Sequence, residues 1–184
     1  MESIRYSPNP VPERSGDLRR YINDELRKIS SELEEVHYSF IEPDSITVVT
    51  GGTPVGTVTD VQTLNDGNVY QVPEVTGVPG FDIEFNFSNV QSVKGIVSHI
   101  NYVGSATHDV ILRLRDYSTP ADNDFLLIPN SGYYGYRTVL IPESPQYSDN
   151  GDAQITLYHA TSGNASHDIY IDYIAILGKR NARY

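Results

Sequence analysis

The chain has 184 residues, 39% of them hydrophobic, enough for one domain with its own core plus an appendage. It contains no cysteine, which excludes disulfides, thiolate metal centres and cysteine nucleophiles. The formal charge of −11 is concentrated in residues 41–178, where Lys94, Arg113, Arg115 and Arg137 stand against sixteen acids. Such a body repels phosphate backbones and anionic lipid, so nucleic acid is not an expected partner.

Residues 1–16 (MESIRYSPNPVPERSG) are rich in Pro and Ser and lack the apolar run of a leader. Proline fixes φ and removes amide donors, so the expectation is an extended docking peptide. No segment reaches the ~18 consecutive apolar residues of a membrane span.

Residues 17–40 read as one helix, N-capped by Asp17. Ile22, Leu26, Ile29, Leu33, Val36 and Phe40 recur at alternating spacings of four and three, the pattern of a coiled-coil seam. Packing on the β-domain or association with sister chains would both cover that seam. Charge order favours the second: Arg19 and Arg20 open the helix while Glu32, Glu34 and Glu35 close it, opposed to the macrodipole. So short a helix is marginal alone. A homotrimer is expected, with Arg19 and Arg20 beside the seam in docking.

Residues 41–68 read as a connector holding one short strand near 45–50 and a turn at Asn65-Asp-Gly67. From 69 to 178 the pattern is β. FDIEFNF (81–87) alternates cleanly, and further strands are expected near 93–103, 109–117, 124–129, 133–141, 153–160 and 168–177. Short strands between Gly, Pro, Asn and Asp turns indicate a mainly β protein, an antiparallel jelly-roll β-sandwich preceded by the extended peptide and one α-helix. Residues 179–184 form a basic tail with Lys179, Arg180 and Arg183.

Two segments are near-copies: GSATHDVILRLRDY (104–117) and GNASHDIYIDYIAI (163–176). Their His108–Asp109 and His167–Asp168 pairs raise the question of a split active site or metal site. Each pair sits between a polar turn and a strand, with Val110, Leu112 and Leu114 on one face of the first, and Ile169, Ile171 and Tyr173 on one face of the second. Neighbouring strand residues point to opposite faces, so neither His–Asp pair converges on one small ligand. Short polar side chains bonding the backbone at the start of a strand explain the motif instead. No nucleophile elbow, phosphate loop or metalloprotease helix is present. No catalytic residue, metal or cofactor is therefore assigned.

NYVGSATHDVILRLRDYSTP (101–120) and DAQITLYHATSGNASHDIYIDYIAIL (152–177) resemble a β-sandwich module common in tailed-phage virion proteins. YSPNPVPERSGDLRRYINDELRKISSELEEV (6–36) resembles leader peptides of small phage structural proteins. The resemblance implies a non-enzymatic virion protein, made in the host cytoplasm. Its N-terminus would dock on capsid, portal or tail, and its sandwich would be displayed as head decoration, fibre or tail appendage. The module is also like carbohydrate-binding jelly rolls, whose usual tryptophan is missing here, with Asp122-Asn-Asp124 in that region.

The alternative reading is a host-surface glycan- or receptor-binding module. Its candidate contacts lie in SGYYGYR (131–137): Tyr133, Tyr134, Tyr136 and Arg137. Tyrosine faces stack on sugars and anchor interfaces, and alternation puts Tyr134 and Tyr136 together. The acids at Asp122-Asn-Asp124 and Asp149-Asn-Gly-Asp152 lack the spacing of a calcium loop and read as turns.

Overall fold

The computed structural model describes residues 38–181. The expected docking peptide, the helix up to His37, and Arg183 lie outside the described residues.

Among the described residues, ten strands form two antiparallel sheets. They are β1 (Ser39–Ile41), β2 (Ser45–Thr50), β3 (Tyr70–Pro73), β4 (Phe81–Phe87), β5 (Val90–Val103), β6 (Asp109–Asp116), β7 (Ala121–Pro129), β8 (Gly135–Ser144), β9 (Ala153–His159) and β10 (Asp168–Arg180). One sheet runs β1-β10-β5-β8, with β3 also on β10; the other runs β2-β4-β9-β6-β7. Without β1 and β2 the orders are 3-10-5-8 and 4-9-6-7, so the chain crosses between sheets at most steps, the jelly-roll winding.

Period-two alternation builds the core. Phe81, Ile83, Phe85 and Phe87 of β4 face inward, against Val110, Leu112 and Leu114 of β6 and Ile155 and Leu157 of β9. From the other sheet come Ile96 and Ile100 of β5 and Ile169, Ile171, Ile174 and Ile176 of β10. Each such side chain contributes roughly 1.5–3 kcal/mol by leaving water. Truncating Phe85 to Ala would cost roughly 3–5 kcal/mol.

Several expectations are corrected. Tyr38 to Phe40 are not the end of a helix, because Ser39, Phe40 and Ile41 pair with Gly178, Leu177 and Ile176. Strand alternation buries Ile41 and leaves Phe40 51% exposed on the outer face, so Phe40 does not continue the helical seam. The supposed connector, 41–68, belongs to the sandwich: β2 pairs with β4, Val55 bridges Gln71, and the 3-10 turn Val58–Val61 packs against β10. The basic tail starts too early, since Lys179 and Arg180 lie in β10 and pair with Glu143 and Glu42.

Inside β10 the regular alternation also breaks. Between Ile171 and Tyr173 the register with β5 shifts by a bulge, and this reverses the phase. Ile174 and Ile176 reach the core, and Tyr173 does not. Finally, Asp122 and Asp124 lie in β7 and face Arg115 (3.3 Å) and Arg113 (2.7 Å) across the ladder; they are not turn residues. Asp149-Asn-Gly-Asp152 is a tight turn, with Asn150 and Gly151 both at positive φ.

Candidate functional site

The outer faces of the two sheets differ in chemistry. On the β2-β4-β9-β6-β7 sheet, Arg113 lies 3.8 Å from the Tyr158 ring centre and pairs with Asp124, so its aromatic surface is already covered by a cation. On the other sheet Lys179 lies 5.5 Å from the Tyr38 ring centre, but among the described residues no cation lies over the exposed Tyr136 ring.

Register sets Tyr136 of β8 opposite His99 of β5. Their rings stack at 4.2 Å and 19°, and Tyr134 tilts against the same imidazole at 5.1 Å. The bulge in β10 aims Asp172 at His99, whose Nδ1 lies 2.7 Å from the Asp172 carboxylate. That carboxylate also accepts from the backbone N–H of Asn65 (3.1 Å), and the Asn65 amide donates to the Tyr136 hydroxyl (2.8 Å). Asn65 sits at φ 58°, a left-handed conformation that asparagine tolerates. The loop before β3 thereby forms a wall of a cleft of about 510 Å³, lined also by Gly67, Val69, Tyr134 and Tyr170.

Burial, and then the Asp172 carboxylate, push the Tyr134 hydroxyl above its ordinary pKa. Burial and Asp168 do the same for Tyr170. Both phenols remain protonated donors at neutral pH. Of the residues expected from sequence, Tyr134 and Tyr136 meet on His99, while Tyr133 stands 69% exposed on the loop before β8. Arg137 folds back to donate to the Tyr136 carbonyl (3.1 Å) and does not line the cleft. The sequence marks Asn65 only as a turn residue, and His99, Asp172 and Tyr170 carry no site signal in it. Only the bulge unites Asp172 with His99, and bulges leave no compositional mark.

A second cluster occupies one end of the sandwich. The two copied motifs do form equivalent turns: His108 N–H donates to the Ser105 carbonyl (3.0 Å) and His167 N–H to that of Asn164 (2.8 Å). Ser105 accepts from the amide of Thr107, and Asn164 from that of Ser166. The aspartates diverge from their histidines; Asp168 accepts instead from Gln71 (2.9 Å).

The histidines themselves converge. The His108 ring lies 4.9 Å from that of His159 and 6.2 Å from that of His167. Buried Glu74 joins them, accepting from Tyr102 Oη (2.6 Å) and the Asn164 N–H (2.7 Å), with His167 Nδ1 at 3.1 Å. Its Oε1 stands 3.5 Å from His159 Nδ1. Burial depresses the His159 pKa against the pull of Glu74, and the neighbouring histidines lower it further. One ligand atom each from Glu74, His108 and His159 lie within 4.8 Å of one another, a set able to hold a metal ion. Jelly-roll winding explains the meeting, since the end of β9 and the starts of β6 and β10 share one end of the sandwich.

No protein-family model matches the chain, and no curated protein sequence matches it. Among solved structures the sandwich is similar to a single-residue variant of a family 29 carbohydrate-binding module. Identity is 13%, over 76% of this chain and 84% of that one, with a TM-score of 0.53. A second variant of the family 29 module gives 14% identity over 76% and 91%, with a TM-score of 0.50. Chitosan-binding module 1 of a chitosanase/glucanase from Paenibacillus sp. IK-5 is also similar, at 11% identity over 78% and 100%, with a TM-score of 0.50. At such identities the likeness is one of fold.

Proposed function

We propose that this chain is a non-catalytic glycan-binding β-sandwich that seats a neutral sugar ring on Tyr136. One observation carries the reading: a 58% exposed Tyr136 ring is braced from behind by stacked His99, beside a cleft with polar walls. A braced tyrosine offers a flat apolar face at small entropic cost, which suits the C–H face of a pyranose. Asn65, Tyr134, Tyr170 and Asp172 supply donors and acceptors for its hydroxyls. The excess of acids over bases disfavours strongly anionic sugars. The likeness of fold to carbohydrate-binding modules supports the same class.

The test is a glycan microarray followed by calorimetry on the best ligand. Tyr136→Ala is expected to lower affinity about 5–30-fold, or roughly 1–2 kcal/mol, with the fold retained. Tyr133→Ala is expected to matter less. Absence of any glycan ligand, or equal affinity in the Tyr136 variant, would defeat the reading.

The resemblance of 6–36, 101–120 and 152–177 to tailed-phage proteins supports a finer placement. In it the sandwich is displayed on a virion, the N-terminal arm docks on capsid, portal or tail, and Ile22, Leu26, Ile29, Leu33 and Val36 join sister chains in a trimer. Mass spectrometry of purified particles and light scattering of the isolated protein test those two parts separately.

A further inference from the structure

We propose that Glu74, His108 and His159 bind one divalent transition-metal ion of the zinc class, stapling the two sheets together at one end of the sandwich. This site uses none of the tyrosine cleft and is independent of the glycan reading.

Two buried imidazole nitrogens here stand unpaired. His159 is fully buried, and its Nε2 is held by Thr161 Oγ1 at 3.0 Å. Its Nδ1 has no hydrogen-bond partner, and neither has the buried Nδ1 of His108. A buried polar atom without a partner costs about 1–3 kcal/mol. Here the His159 nitrogen points toward a carboxylate oxygen 3.5 Å away, too far for a hydrogen bond. A cation between Nδ1 and Oε1 satisfies both at once.

The surrounding residues hold the would-be ligands in place. Metal-binding imidazoles ordinarily have their other nitrogen fixed, as Thr161 fixes His159, and metal-binding carboxylates are themselves hydrogen-bonded. Tyr102, Asn164 and His167 hold Glu74 in that way. Gly80 leaves the space bare, since a Cβ there would lie 2.2 Å from His159 Nδ1.

The donor set selects the ion. Two imidazoles and one carboxylate suit zinc and its neighbours, whereas calcium and magnesium take oxygen cages. A tetrahedral ion would keep its fourth position for water on the half-buried His108 side. Glu74 follows β3 in one sheet, while His108 precedes β6 and His159 ends β9 in the other, so the ion would bridge the sandwich.

The experiment uses the full chain stripped with chelator and titrated with Co²⁺, then Zn²⁺. The expected result is one Co²⁺ per chain with tetrahedral visible bands, displaced by Zn²⁺. Tm should rise by roughly 5–10 °C at about a hundredfold excess over Kd. His108→Gln should bind at least about tenfold more weakly while melting like the metal-free wild type. A second readout needs no variant: Zn²⁺ should shift the imidazole nitrogen resonances of His108 and His159 in wild type and leave those of His99 unmoved. Folded wild type that takes up no Co²⁺, undiminished binding by His108→Gln, or shifts confined to other histidines would each overturn the proposal.

Discussion

His99 and Asp172 face each other at 2.7 Å from neighbouring strands, and the contact exists because β10 carries an extra residue at that point. Both are buried, and the carboxylate also serves the amide of Asn65. Asp172→Ala would leave the imidazole and that amide without their acceptor. The expected loss is about 2–4 kcal/mol, read as a lower urea midpoint with an unchanged m-value. Glycan affinity should fall as well, because the wall at Asn65 loses its anchor.

Gly80 and Gly77 share one loop but differ in what a methyl group would meet. At Gly80 it would strike His159 Nδ1 and approach Gly163 Cα at 3.0 Å, whereas at Gly77 nothing lies within 4 Å. Gly80→Ala should therefore cost about 1–3 kcal/mol by overpacking, and Gly77→Ala about 0.5 kcal/mol or less in either direction. Thermal melting of the two variants side by side is the check. Equal melting would mean that His159 is free to move aside.

Tyr38 donates to Glu143, which also receives Lys179 (2.9 Å) and Ser92 (2.7 Å). Those bonds, Tyr38's first, hold the Glu143 carboxyl down at about 2, from an ordinary 4.5. A depressed carboxyl contributes stability that is complete above 4.5 and lost as pH falls toward 2. The same bond, then burial, lifts the Tyr38 phenol to about 12 from 10.0. An acid favoured in its neutral form contributes fully below pH 10 and loses that contribution as pH rises toward 12. Because both groups are partly exposed, the acid-side effect is about 1 kcal/mol or less after solvent screening. Melting curves across both windows should show Tyr38→Phe less pH-sensitive than wild type at each end.

The boundary of the sandwich can be tested with two truncations. Removing residues 1–37 leaves every described strand intact and should preserve Tm. Removing 1–40 takes away the Tyr38 hydroxyl and most of β1, including the Phe40–Leu177 pairing. That longer deletion should lower Tm by roughly 3–8 °C. Equal melting of the two proteins would show that β1 adds nothing to the sheet.

Local pattern made much of this fold legible. FDIEFNF declares its inward face unaided, and VILRLR does the same for β6. Events that are not periodic leave no such pattern. One inserted residue at Asp172 turned Tyr173 away from the core, and three residues around Phe40 satisfied a helical spacing as well as a strand. The tyrosine pair was visible because Gly-flanked tyrosines two apart share a face. His99 was not, and Asn65 was legible only as a turn, since nothing local says which strands that turn will meet. The copied turns show the same limit: alternation separates each histidine from its aspartate correctly, yet says nothing of which distant turns meet. Glu74 and His159 carry no motif, and only the winding of the sheets brings them to His108.

The antiparallel pairing of β1 with the far end of β10, Ser39 opposite Gly178, has a mechanical consequence. The backbone reaches the sandwich and leaves it at one corner, through neighbouring strands running in opposite directions. Tension applied between Tyr38 and Arg180 would meet the hydrogen bonds of that ladder one after another, as in opening a zipper, instead of loading them all in shear. A three-residue ladder opened in this way yields at low force. The remaining strands, anchored by β5 on the other side of β10, would stay folded while the corner gives.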